Sequence, residues 1–125
     1  MNLVDSSGWI EYFQDSERAD LFAPAIEQRS RLLVPVIALF EVHKVLSRHI
    51  PPEAVQECLD VMRLGRVLEI TDPRAIAAAA MAVHHRLAMA DAMMYSLARE
   101  FDAEFWTQDV DYEGLPGVRY FAKRL

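Results

Sequence analysis

The sequence predicts a three-layer α/β domain in which a central, mainly parallel sheet of four or five short strands is flanked by helices. Short apolar runs recur along the whole chain, separated by longer segments with helical character. The runs are nearly continuous rather than alternating, as in strands covered on both faces, and such strands belong to parallel sheets. Proline and glycine fall between the segments, at Pro35, Pro51, Pro52, Gly114, Pro116 and Gly117, where they punctuate rather than interrupt.

Taken in order, Asn2 to Val4 reads as a short buried strand, and Ser6 and Ser7 are N-cap candidates for a helix through Gly8 to Phe13. A second helix is expected from about Glu17 to Arg29, with Pro24 as its weak point. Leu32 to Val34 is a strand stopped by Pro35, and a helix follows from about Val36 to His49. Pro52 suits the first turn of a helix that ends near Gly65. Val67 to Ile70 is the next strand. Asp72 and Pro73 read as N-cap and first residue of an alanine-rich helix to about Arg86, and another helix covers about Met89 to Phe101. Glu104 to Thr107 is a strand, and Val118 to Phe121 a last short one.

With 125 residues, 53% hydrophobic and 26% charged, residues 1–125 are expected to form a single globular domain with a substantial core. The longest strongly apolar stretch, Ala75 to Val83, falls far short of the roughly 20 residues needed to span a membrane. The start has no basic region, and Asp5 interrupts its apolar residues, unlike a signal peptide. A cytoplasmic protein without a membrane partner is therefore expected. Cys58 is the only cysteine, so an internal disulfide is excluded, and it reads as a small core residue. The net charge of −6 argues against a general nucleic-acid coating protein, which relies on many contacts from Lys and Arg to phosphate. It leaves room for an enzyme whose acidic site is offset by bound cations.

Four carboxylates stand in apolar surroundings: Asp5 after the first strand, Glu41 within Val36 to Val42, Asp91 within Leu87 to Met94, and Asp109 just beyond Phe105-Trp106-Thr107. In an open α/β sheet, ligands bind beyond the carboxyl ends of the strands, so Asp5 and Asp109 are expected at one edge. Glu41 has Ile37 and Val45 one turn away on either side, which puts it on the stripe expected to face the core. Asp91 lies in the first turn of its helix, where the dipole favours an anion and is expected to keep its pKa low. Singly, these residues have ordinary readings: a cap for Asp5 or Asp91, a turn for Asp109, an internal ion pair for Glu41. Together they form a cluster that is costly without cations, and a hard divalent ion is the usual resolution.

The segment from Asp109 to Gly114 imitates the start of an EF-hand loop, but the twelfth position is Tyr120 rather than glutamate and a strand precedes it. Asp111 stays open, as an outer ligand or a solvated turn residue. His84 and His85 fall late in a helix, where a cation is favourable for structural reasons. His43, Lys44, Arg48 and His49 read as a solvated helix face, and Trp9, Tyr12 and Phe13 as core or a dimer surface.

Leu3-Val4-Asp5-Ser6-Ser7, Leu39-Phe40-Glu41-Val42, Ala90-Asp91-Ala92 and Thr107-Gln108-Asp109, in this order, resemble a PIN-domain ribonuclease. Size and motif order are similar to the VapC toxin branch of bacterial toxin–antitoxin systems. Position by position, the resemblance implies that Asp5, Glu41, Asp91 and Asp109 are the acidic quartet binding Mg²⁺ or Mn²⁺, with Ser6 or Ser7 and Thr107 as supporting hydroxyls. It further implies an antitoxin partner whose tail covers the site, and commonly a homodimer. Met93-Met94-Tyr95 depart from the small or β-branched residues more usual in that family. The expected chemistry is hydrolysis of RNA phosphodiesters by a metal-activated water, with Glu41 binding directly or through water and one or two ions fitting equally. The rivals are a non-catalytic PIN-like interaction module and an acidic-pocket phosphatase. A phosphotransfer receiver fails because no lysine ends a late strand: after Thr107 the only lysine is Lys123.

Overall fold

The computed structural model describes residues 1–123. Its five strands are β1 (Asn2–Val4), β2 (Leu32–Pro35), β3 (Arg66–Leu68), β4 (Glu104–Thr107) and β5 (Val118–Tyr120). All neighbours pair in parallel, in the order β3-β2-β1-β4-β5. Six helices flank the sheet: α1 (Ser6–Phe13), α2 (Ala19–Ile26), α3 (Val36–Leu46), α4 (Pro52–Met62), α5 (Asp72–His85) and α6 (Met89–Glu100). The three-layer α/β expectation holds. From β1 the chain builds outward to β2 and β3, then crosses back to lay β4 on the other side of β1. The carboxyl ends of β1 and β4 thus border a topological switch point, where α/β sheets open a crevice.

The inner strands are apolar because both faces are covered. Leu3, Val4, Leu33, Val34 and Phe105 are all sealed from solvent, together with Trp9, Phe22, Val42, Met62 and Met94 from the helices. The edge strands are less covered: Arg66 and Val67 of β3 and Arg119 of β5 are exposed. None of the described helices is long and apolar enough to cross a membrane.

Helix ends depart from expectation where local hydrogen bonding overrides pattern. The first helix starts at Ser6, and Asp5 rather than Ser6 or Ser7 is its N-cap, accepting from the Ser6 N–H. A carboxylate at this position satisfies an otherwise orphaned donor. Helix α2 is shorter than the expected span, and Arg29–Arg31 form a separate 3₁₀ turn. Thr71, not Asp72, caps α5, its hydroxyl accepting from the Arg74 N–H at 3.4 Å. Helix α3 ends at Leu46, three residues early, and Ser47 folds its hydroxyl back onto the His43 carbonyl at 2.6 Å. Strand β3 starts one residue early and ends two early, at Leu68, because only Leu33 to Pro35 offer it a partner. Cys58 is half-buried against the core rather than sealed within it.

Gly8 sets how closely α1 approaches the sheet. A β-carbon there would lie 2.6 Å from the Phe22 ring and 2.8 Å from Val4 Cγ1, and both neighbours are fully buried. Alanine is the better helix former by about 1 kcal/mol, yet overpacking of this kind costs roughly 1–3 kcal/mol. Gly8→Ala is therefore expected to lower the melting temperature, as thermal denaturation followed by circular dichroism would reveal; an unchanged or raised value would show that α1 has room to retreat.

Candidate functional site

The end of β1 delivers Asp5 into a cavity of about 630 Å³ that Glu41, Asp91 and Asp109 also line. Asp5 is only 5% exposed. Its amide donates to the Trp106 carbonyl at 2.9 Å, which locks it to β4. One carboxylate oxygen accepts from the Ser6 N–H at 2.8 Å and the other from the Thr107 hydroxyl at 2.9 Å. Thr107, itself sealed from solvent, also accepts from the Asp109 N–H at 3.0 Å. A single hydroxyl thereby fixes the relative positions of two acids about a hundred residues apart in sequence.

Glu41 is tied in through Ser6, whose hydroxyl donates to it at 2.6 Å. The buried stripe of α3 is Ala38, Val42 and Leu46. Ile37, Glu41 and Val45 are half-buried beside it, and Glu41 and Val45 line the cavity. Glu41 therefore faces the cavity instead of the core, which is how it remains tolerable without a cationic partner. Ser7 also lines the cavity, but its hydroxyl has no hydrogen-bond partner among the described residues and reaches no carboxylate.

Asp91, in the first turn of α6, meets Asp109 and Asp111. Carboxylate oxygens of these three lie within 4.8 Å of one another, so one cation can touch all three. Asp109 additionally caps the 3₁₀ turn Val110–Tyr112 by accepting from the Asp111 N–H at 2.9 Å. The tight group thus contains Asp111, while Asp5 and Glu41 stand around it on hydroxyl tethers. His84 and His85 do not line the cavity; the His85 ring lies edge-on to Tyr95, 5.6 Å between centroids. Trp9, Tyr12 and Phe13 pack on one another, with Trp9 fully buried.

Electrostatics record the cost of this assembly. Burial pushes the Asp5 carboxyl up to about 7, opposed by the Thr107 and Ser6 hydrogen bonds and reinforced by Asp91 and Asp109. Asp91 is also raised, by burial and by Asp109, Glu41 and Asp111, with the Tyr112 hydroxyl pulling the other way. The helix dipole does not keep Asp91 low, contrary to the expectation from its place in the first turn: desolvation and three neighbouring acids outweigh it.

A second polar cluster braces the cavity wall. Gln108, 4% exposed, accepts from Arg18 Nε at 2.6 Å and donates to Glu11 at 3.1 Å. Arg18 also donates to the Phe121 carbonyl at 3.0 Å. Arg18, Glu11 and Gln108 escape a sequence reading because Arg18 sits in a charged run that looks solvated. Tyr112, completely buried beside the acids, looks like ordinary core; the one available signal is its position directly after the second carboxylate of the closely spaced pair Asp109 and Asp111.

The raised pKa of Asp5 has a defined sign. The folded state holds this proton up to about pH 7, against 3.8 for the ordinary group. Its contribution to stability is complete below about pH 4 and is lost as pH rises through 7. A shift of this size corresponds to at most about 4 kcal/mol. The metal-free protein should therefore melt at progressively lower temperature between about pH 4 and 7, and Asp5→Asn should flatten that decline; equal slopes for the two proteins would show that Asp5 ionises without strain.

Comparison with known proteins agrees with this geometry. The family model of the PIN domain matches residues 3–117. No curated protein matches the chain. Among solved structures, the chain is similar to a toxin–antitoxin complex from Klebsiella pneumoniae, with TM-score 0.82, 20% identity, and coverage of 95% of this chain and 96% of that one. It is also similar to VapC20 of Mycobacterium tuberculosis, a toxin that cleaves the sarcin–ricin loop, with TM-score 0.77, 19% identity, and coverage of 95% and 99%. FitAcB from Neisseria gonorrhoeae gives TM-score 0.71 and 18% identity over 98% and 97% of the two chains. At these identities the likeness is one of fold. Because the family model spans nearly the entire chain and the acids gather where that fold opens its crevice, the chain belongs to the PIN domain family.

Proposed function

We propose that this single-domain protein is a metal-dependent endoribonuclease, the toxin of a VapBC-type toxin–antitoxin pair, acting in the cytoplasm as a homodimer. The observation that carries the reading is the gathering of Asp5, Glu41, Asp91 and Asp109 in one cavity at the switch point of a PIN fold. The toxin–antitoxin assignment draws on the fold likeness to the Klebsiella pneumoniae complex and to VapC20. An antitoxin would have to offset the same acidic cavity, which favours a partner presenting a basic side chain.

The residues suit a hard divalent cation. Asp91, Asp109 and Asp111 offer three carboxylate oxygens within 4.8 Å of one another, compatible with ligand distances of about 2.0–2.6 Å around one ion. All donors are oxygens, which selects Mg²⁺ or Mn²⁺ over zinc. In this reading Asp91 and Asp109 hold the ion with Asp111, and Asp5 and Glu41 complete the site directly or through water. An ion held there would supply a water activated for attack and would offset charge on the phosphate.

The chain's own residues perform the rest. Thr107 and the Ser6 N–H hold the Asp5 carboxylate in one orientation, and the Ser6 hydroxyl holds Glu41. Ile10, Val45 and Val110 line the cavity and limit water around the acids. Lys123 is the single cation lining it among the described residues, and Tyr120 lines it beside Lys123. An RNA strand entering there meets an ammonium for its phosphate and a ring for a base, the two contacts that single-stranded RNA ordinarily takes.

The test is cleavage of total cellular RNA by partner-free protein in Mg²⁺, in Mn²⁺ and in EDTA, beside Asp91→Asn. Discrete products that need metal and fall by roughly 100-fold or more in the variant are expected, while the variant still melts cooperatively. Hydrolysis of small phosphoesters without RNA cleavage would favour a phosphatase, and metal binding with neither activity would favour an interaction module.

A further inference from the structure

Tyr112 sits under the acidic cluster with a hydroxyl that the fold leaves unused. The residue is 0% exposed and ends the 3₁₀ turn Val110–Tyr112 that Asp109 caps. Its ring is wedged against Phe105, 4.6 Å between centroids, and against Tyr95 at 6.2 Å. Tyr95, one helical turn beyond Asp91, directs its own hydroxyl to the Pro116 carbonyl at 2.7 Å. It is therefore already committed elsewhere. The Tyr112 hydroxyl has no hydrogen-bond partner among the described residues.

A buried hydroxyl without a partner is costly; Asp5, Asp91 and Asp109 all act on it, and of these Asp91 is the one whose charged form the hydroxyl favours in return. Phe105 and Tyr95 pack against the ring, whereas the Asp91 side chain is only half-buried. Phenylalanine would supply the same packing; only tyrosine supplies a donor there.

We propose that Tyr112 is a positioning residue: its buried hydroxyl donates to the Asp91 carboxylate and holds it turned toward the cation it shares with Asp109 and Asp111. The inference rests on the metal-site reading above. It assigns one oxygen of Asp91 to the protein and leaves the other for the ion. Outer hydrogen-bond partners of this type set metal affinity by fixing ligand orientation.

Mn²⁺ binding measured by calorimetry on the full chain tests this without reference to RNA cleavage. Tyr112→Phe is expected to weaken Mn²⁺ roughly tenfold, with cooperative melting preserved because the ring and its packing remain. In an Asp91→Ala background the same change should add no further loss, since the hydroxyl acts through that carboxylate. Unchanged Mn²⁺ affinity in Tyr112→Phe, with or without a raised melting temperature, would overturn the proposal, as would an equal further loss in the Asp91→Ala background. Wild-type protein that binds no Mn²⁺ would overturn the metal-site reading and this one with it. Wild-type protein that binds Mn²⁺ but leaves RNA intact would count against the ribonuclease reading alone.

Discussion

A carboxylate at the end of β1 has to be kept both dry and satisfied, and the surroundings of Asp5 are organised by that need. Its backbone is fastened to β4, its side chain caps α1, and the Thr107 hydroxyl fills its second oxygen. Through Thr107 the same network sets the Asp109 amide, and through Ser6 it reaches Glu41 on α3. Remove the central charge and the sheet would still form, because its strands are held by apolar burial. What would be lost is the relation between segments that the cavity requires. Stability and site geometry therefore draw on different parts of the molecule, with the apolar core bearing the cost of several neighbouring acids.

The extent to which this was legible in the sequence follows from which forces act locally. Strands covered on both faces leave near-continuous apolar runs, so Leu32 to Val34 and Glu104 to Thr107 could be placed to within a residue or so. Helix ends were less legible, because a cap is decided by one hydrogen bond. Asp5 and Thr71 take the capping roles that the sequence pattern assigns to Ser6 or Ser7 and to Asp72. The acids of the cavity stood out as charges in apolar surroundings. Asp111, exposed in a polar turn, read equally as an outer ligand or a solvated residue; its approach to Asp91 and Asp109 is visible only in three dimensions.

Two features were hidden for opposite reasons. Tyr112 lies among aromatic contacts, and nothing in a sequence distinguishes a ring that only fills space from one that also carries an unpartnered buried hydroxyl. Arg18 lies between Glu17 and Asp20, where a charge is ordinarily solvated, yet it reaches across to Gln108 and to the Phe121 carbonyl. Helical periodicity also misled at Glu41 by one step around the helix: Ala38, Val42 and Leu46 take the core, and the neighbouring stripe takes the cavity. A cavity wall and a core face present similar apolar spacing, and only the sheet edge separates them.

The order in which the chain leaves the ribosome gives the switch-point arrangement a temporal meaning. Asp5 emerges early, but its hydroxyl donor Thr107 lies 102 residues later, and the Arg18 side chain waits 103 residues for the Phe121 carbonyl. The middle strand of the sheet is the first one made, and one of its two neighbours is the fourth. A nascent chain holding β1 to β3 carries Asp5 and Glu41, but Asp91, Asp109 and Thr107 all follow β3. Whatever chemistry the cavity performs is withheld until β4 slots in beside β1, so the interval during synthesis when an incomplete chain could act on its surroundings is closed by topology alone.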